Sequence, residues 1–133
     1  MKQFPLKIVT PDGLVFDGMA DALLVRTTTG EVEFMAGHVD YFASLSIGRA
    51  KLTIDGEEMN AFAHGGFVSV LSGEVKLVCT IFEFAKDIDL ARAKHAKEKA
   101  EETLKSANDD KIVKLAKAKL LRAIYRIDIA GLK

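Results

Sequence analysis

Cysteine is almost missing from this chain, and long apolar runs are missing altogether. Cys79 is the single cysteine among 133 residues, so no internal disulfide forms. Its place in "VKLVCTIF" reads as a small buried hydrophobe in a strand rather than a reactive thiol. No stretch approaches the roughly 20 consecutive apolar residues that a membrane-spanning helix needs. The start "MKQFPLKIVTPDG" reaches Pro11 and Gly13 before a signal-peptide core is built. The expectation is a soluble, non-secreted chain with no direct membrane insertion. Enzyme signatures are missing too: there is no G-x-x-x-x-G-K-[ST] phosphate loop, no G-x-G-x-x-G and no G-x-S-x-G elbow. "HGGF", His64 to Phe67, has the paired glycines of an oxyanion-hole loop, but with no nucleophile elbow they read as a tight turn between strands. His38, His64 and His95 stand far apart without ligand spacing to one another or to Cys79, which argues against a metal site. No nucleophile–base pair is present, so no catalytic residue is expected.

Glycine is absent from Phe84 to Gly131, and that gap divides the chain. Before it, short β-type runs ("LKIVT", "LVFDG", "ALLVRTTTG", "EVEFM", "RAKLTI", "FVSVLSG", "EVKLVCTIFEF") are broken by turn residues. Ile54-Asp55-Gly56-Glu57 carries the Asp-Gly hairpin signal, and Leu52/Ile54 and Val75/Leu77/Cys79/Ile81 alternate with the period of half-buried strands. After Phe84, Ala, Lys, Glu and Leu take over, the composition of helix. The fold class expected is α+β: an N-terminal all-β sandwich or flattened barrel over residues 1–85, then a C-terminal antiparallel two-helix hairpin over 86–133. Net charge is zero, but it too is divided. Residues 1–85 carry 6 Lys/Arg against 11 Asp/Glu, a net of −5, and residues 86–133 carry 13 against 8, a net of +5. A basic half suits nucleic acid, an anionic ligand or an acidic protein surface, and also a solvated helical face.

In the helical part, Asp87 or Asp89 suits an N-cap. Ala93, Ala96, Ala100 and Leu104 form a narrow small-residue stripe, and "SANDD" ends one helix and caps the next. The second helix has Val113, Ala116, Leu120, Ile124 and Ile127 on one stripe. Alanine buries little area, so at about 25 cal/mol per Å² this seam is worth only a few kcal/mol before entropy is subtracted. Arg122 and Arg126, at i and i+4, share a face off that stripe. In a folded hairpin they come near Asp89, Arg92 and Lys99, a set whose guanidinium forks suit phosphate, while Asp89 and Glu83 suit an amine or hydroxyl of the same ligand. An adenine nucleotide offers both. The same residues also serve as a cap and exposed ion pairs with nothing bound. His38 follows Gly37 and precedes Tyr41 and Phe42, either packing a turn or belonging to a contact surface.

"TPDGLVFDG", "GEVEFMAGHVDYFASLSIG", "FAHGGFVSV" and "DIDLARAKHAKEKAEETL", in this order and followed by a second Lys/Ala helix, resemble the epsilon subunit of bacterial F-type ATP synthase over essentially the whole chain. The resemblance implies a non-catalytic rotor subunit of the central stalk that couples c-ring rotation to ATP synthesis and hydrogen ion transport, and inhibits ATP hydrolysis through its C-terminal helices. It implies the gamma subunit, the c-ring and the alpha and beta subunits as partners, no nucleic acid, and a peripheral place on the cytoplasmic face of the bacterial plasma membrane. Glu31 and His38 match positions the family uses near the c-ring. The family's ATP motif [IL]-D-x-x-R-A matches Ile88, Asp89, Arg92 and Ala93. Its upstream acid matches Glu83, and its second-helix arginines match Arg122 and Arg126. ATP as a regulatory ligand is thereby implied, with Lys99 where the family has an arginine, keeping the charge but losing the fork. Asp40 stands where the family commonly has proline, which implies a less rigid loop. A free-standing adenine-nucleotide sensor is the alternative reading.

Overall fold

Two sheets share one set of inward-facing side chains, because alternate residues of a strand point to opposite faces. The computed structural model describes residues 2–132. The first sheet holds β1 (Phe4–Thr10), β2 (Gly13–Ala20), β5 (Tyr41–Ser44), β8 (Phe67–Leu71) and β9 (Glu74–Val78), in the order β2-β1-β9-β8-β5. The second holds β3 (Ala22–Thr27), β4 (Gly30–Phe34), β6 (Gly48–Ile54), β7 (Glu57–His64) and β10 (Ile81–Phe84), in the order β10-β7-β6-β3-β4. Pairing is antiparallel except between β1 and β9. Leu6 and Ile8 from the first sheet meet Leu23, Val25, Phe34 and Leu52 from the second in the core, together with Val68, Val70, Val75 and Leu77. The architecture is therefore a two-sheet sandwich followed by two packed helices, as the sequence implied.

One run that reads as a single strand changes sheet midway. "EVKLVCTIFEF" splits into β9 and β10 at Cys79 and Thr80. The two-residue period does not run through the switch: Val75, Leu77 and Cys79 face the core from β9, whereas Phe82 and Phe84, not Ile81, pack against it from β10, because the crossover at Thr80 shifts the phase by one residue. Gly65 and Gly66 carry the chain from β7 to β8, both at positive φ. A Cβ on Gly66 would stand 1.8 Å from the Val78 carbonyl oxygen, so this is a close backbone approach that only glycine permits. The Asp55-Gly56 turn has φ of 51° and 83°, the type I′ geometry that matches strand twist. Asp21, at the step between β2 and β3, is 5% exposed. Its carboxylate accepts from Gly56 N (2.9 Å) and Gln3 Nε2 (3.0 Å). These bonds hold it below the usual carboxylate pKa.

The chain from Ala85 onward forms a separate compact unit. A 3-10 turn (Ala85–Asp87) leads to α1 (Leu90–Ser106) and α2 (Asp110–Ala130). Asp89, not Asp87, caps α1, its Oδ1 accepting from Arg92 N at 3.0 Å. Asp109 caps α2 by accepting from Lys111 N at 2.8 Å. A connection so short returns α2 antiparallel along α1.

The seam differs from the expected stripes. Buried alanines recur seven residues apart on each helix, Ala93 and Ala100 on α1 and Ala116 and Ala123 on α2. Ala96 is exposed. Ile124 is 36% exposed, whereas Ala123 is 1% exposed. The spacing of Val113, Ala116 and Leu120 continues equally well to 123 or 124. Close axial approach decides for the smaller side chain, because an isoleucine between the backbones would hold the helices apart.

Candidate functional site

The first turn of α1 is where a cap and a ligand set coincide. Asp89 is exposed, and its Oδ1 accepts from the backbone N–H of Arg92. Ile88 and Ala93 are buried on either side of it, and Arg92 is exposed. The apolar pair thus fixes the turn that presents the charged pair.

A helix advances about 100° per residue. Measured from the buried alanines of α1, Arg92 and Lys99 lie on one flank, with Asp89 close to the seam on the same side. Measured from Ala116 and Ala123, Lys119, Arg122 and Arg126 lie on the flank that an antiparallel partner turns to the same side. One side of the hairpin therefore collects five cations and one carboxylate. Lys119 is the member that sequence reasoning missed; its spacing of three from Arg122 was the signal. Lys99 stands seven residues from Arg92, about 10 Å further along the axis, and it extends the cationic flank. Arg122 and Arg126 are half-buried and Lys99 exposed. Among the described residues, ion pairs form between Arg49 and Glu31 (3.9 Å) and between Lys51 and Glu58 (3.1 Å), and none engages Arg92, Lys99, Lys119 or Arg122. Arginine forks without a carboxylate partner suit an anion with several oxygens. Glu83 lies in β10, half-buried and in register with Phe62 of β7. It belongs to the sandwich unit.

The sandwich carries a second feature that sequence did not show. Leu14, Val9, Val78 and Phe67 occupy successive strands in register across the outer face of the first sheet. Phe42 completes the row with its ring centroid 5.1 Å from that of Phe67. Leu14 is 59% and Phe42 68% exposed. Alongside runs a polar row in which Lys7 pairs with both Lys76 and Asp17. An apolar band of this kind on a solvent face marks an interaction surface. Register could not be known from sequence, so the band was invisible there. His38 lies half-buried, its ring 4.9 Å from Phe34 and 5.9 Å from Tyr41, with Nδ1 2.8 Å from the Val39 carbonyl. It packs the turn, while Glu31 stays exposed on the edge strand β4.

Residues 3–85 match the family described as ATP synthase, Delta/Epsilon chain, beta-sandwich domain, and residues 86–131 match ATP synthase, Delta/Epsilon chain, long alpha-helix domain. The chain belongs to the ATP synthase delta/epsilon chain family. It is 37% identical over 131 residues to the ATP synthase epsilon chain of Bacillus velezensis, covering 98% of this chain and 99% of that one. To the ATP synthase epsilon chain of Clostridium novyi it is 40% identical over 129 residues, covering 96% and 98%. Among solved structures, a chain of the Euglena gracilis mitochondrial ATP synthase (OSCP/F1/c-ring) superposes with a TM-score of 0.82 at 22% identity, covering 98% of this chain and 82% of that one. At these identities the superposition speaks for the fold. Membership makes this epsilon-type chain a non-catalytic subunit. No helix among the described residues is long and apolar enough to cross a membrane.

Proposed function

We propose that this chain is a central-stalk rotor subunit of a proton-translocating F-type ATP synthase, and that it restrains ATP hydrolysis with its C-terminal helices under control of bound ATP. The observation that carries the reading is the cationic face on one side of the hairpin, which includes Arg92 and Asp89 of the family's ATP motif. ATP is the regulatory ligand. Arg92, Arg122 and Arg126 meet the phosphates, with Lys99 adding charge, and Asp89 and Glu83 accept from the adenosine part, while Ile88 and Ala93 shape the turn. ATP binding favours the folded hairpin by linkage. When ATP is scarce, the weak alanine seam lets the basic helices leave for acidic surface of the alpha and beta subunits and block rotation.

In this reading the apolar band across the first sheet seats the sandwich on the gamma subunit, and the edge bearing Glu31, with the loop bearing His38, meets the polar loops of the c-ring. The complex holds the chain peripherally at the cytoplasmic face of the plasma membrane. Full-length similarity to epsilon chains supports the assignment. Calorimetric titration of the full chain with ATP, ADP and GTP is the first test, with a preference for ATP expected. Replacing Arg122 and Arg126 together by Ala should weaken ATP binding by at least tenfold, since charge-assisted bonds are worth about 1.5–3 kcal/mol each. It should also alter inhibition of hydrolysis in the reconstituted complex. If both properties are unchanged, the mechanism fails; ATP binding without association with gamma would favour a free-standing sensor.

A further inference from the structure

The sandwich has two type I′ turns, and each is held by an aspartate distant in sequence. At the first, Asp21 accepts from Gly56 N. At the second, Leu71-Ser72-Gly73-Glu74, Asp40 Oδ1 accepts from Ser72 N at 2.9 Å. Ser72 has φ of 51° and Gly73 of 80°. A serine at positive φ is uncommon, and a bond to its amide favours that conformation over the alternatives open to an exposed turn.

Asp40 ends the connection between β4 and β5. That loop is closed at its start by His38 N donating to the Met35 carbonyl (3.2 Å), with Gly37 at φ of 83°. The His38 ring anchors its middle against Phe34 and Tyr41. Without the Asp40 bond, its end would be joined to the rest of the sandwich only through β5, a four-residue edge strand. The loop and the turn together display the apolar side chains Val39, 74% exposed, and Leu71, 64% exposed. Ordering such side chains costs entropy, and an exposed loop recovers it only through specific bonds.

We propose that Asp40 is a positioning residue, a clasp that fixes the β4–β5 loop to the β8–β9 turn and so presents Val39 and Leu71 in a set relation. The expectation that an aspartate here loosens the loop is thereby reversed: the carboxylate supplies by hydrogen bonding the restraint that a fixed backbone angle would otherwise give. The clasp is a property of the chain alone and does not depend on a place in the rotor.

Amide hydrogen exchange on the full chain, resolved by residue, tests it. Asp40→Ala should speed exchange at Ser72 on the order of tenfold, with amides of 38–41 following, while β1, β6 and β7 keep their protection. Asp40→Asn should remain within about twofold of the native chain, because its side-chain oxygen can accept the same bond. Unchanged exchange at Ser72 in Asp40→Ala would overturn the proposal. So would an equal loss of protection in every strand, which would make Asp40 a general stabiliser, or failure of asparagine to restore the bond.

Discussion

The sandwich and the hairpin are built from opposite kinds of buried residue. Phe34, Leu6, Ile8, Leu23, Leu52 and Leu77 are fully enclosed in the sandwich. The long seam of the hairpin is centred on alanines. Burying a leucine contributes about 1.5–3 kcal/mol, while a single carbon group adds about 0.8 kcal/mol. The sandwich is therefore closed by its own contents, whereas the hairpin keeps a small margin that a ligand or an acidic neighbour can tip. Charge reinforces the difference, since the helical half carries the net +5 and repels itself when closed.

The comparison breaks most visibly in the core. Leu52→Ala should cost the sandwich about 3 kcal/mol, read as a fall in the thermal midpoint of strand signals. A loss below 1 kcal/mol would mean that the sandwich is no better packed than the hairpin. Next comes the seam: Ala123→Leu should overpack it by about 1–3 kcal/mol. Amides of 90–130 should then exchange faster while those of β1, β6 and β7 stay protected. Hairpin amides as slow to exchange as the strands, before and after the change, would sink the idea of a conditional hairpin.

The smallest effect concerns acid. Asp21 has its pKa lowered by the Gly56 N–H first and by Gln3 second. A carboxylate depressed in the fold adds stability that is present above its ordinary value near 3.8 and is lost as pH falls through the folded value. Asp21→Asn should flatten the acid limb of the sandwich's stability profile by lowering the neutral plateau toward the acid value, because the non-titrating amide lacks the contribution that the ionised carboxylate makes at neutral pH. An acid limb unchanged in the variant would show that other carboxylates govern it.

Much of the site was legible because its signals are local. The cap at Asp89, the i and i+4 pair Arg122 and Arg126, and the run Ile88 to Ala93 depend only on helical period and nearby backbone groups. Lys119 escaped notice because its membership needs the phase of α2 against α1, and that phase turned on Ala123 versus Ile124. The hydrogen bond of Asp40 escaped notice for a related reason. Its partner, Ser72, is 32 residues away, and a side-chain oxygen's target cannot be read from the residues beside it.

What the chain's order of residues settled by itself was the division at Phe84, the strand and helix periods, the Asp55-Gly56 turn and the sign of each half's charge. All of these follow from short-range sterics and from counting. Only the folded chain decided the strand order, the switch of sheet at Cys79, the apolar band from Leu14 to Phe42 and the two aspartate clasps. A two-residue period says which side of a strand is buried, but it holds for any neighbour and any sheet. Neighbours are chosen by the packing of the whole core.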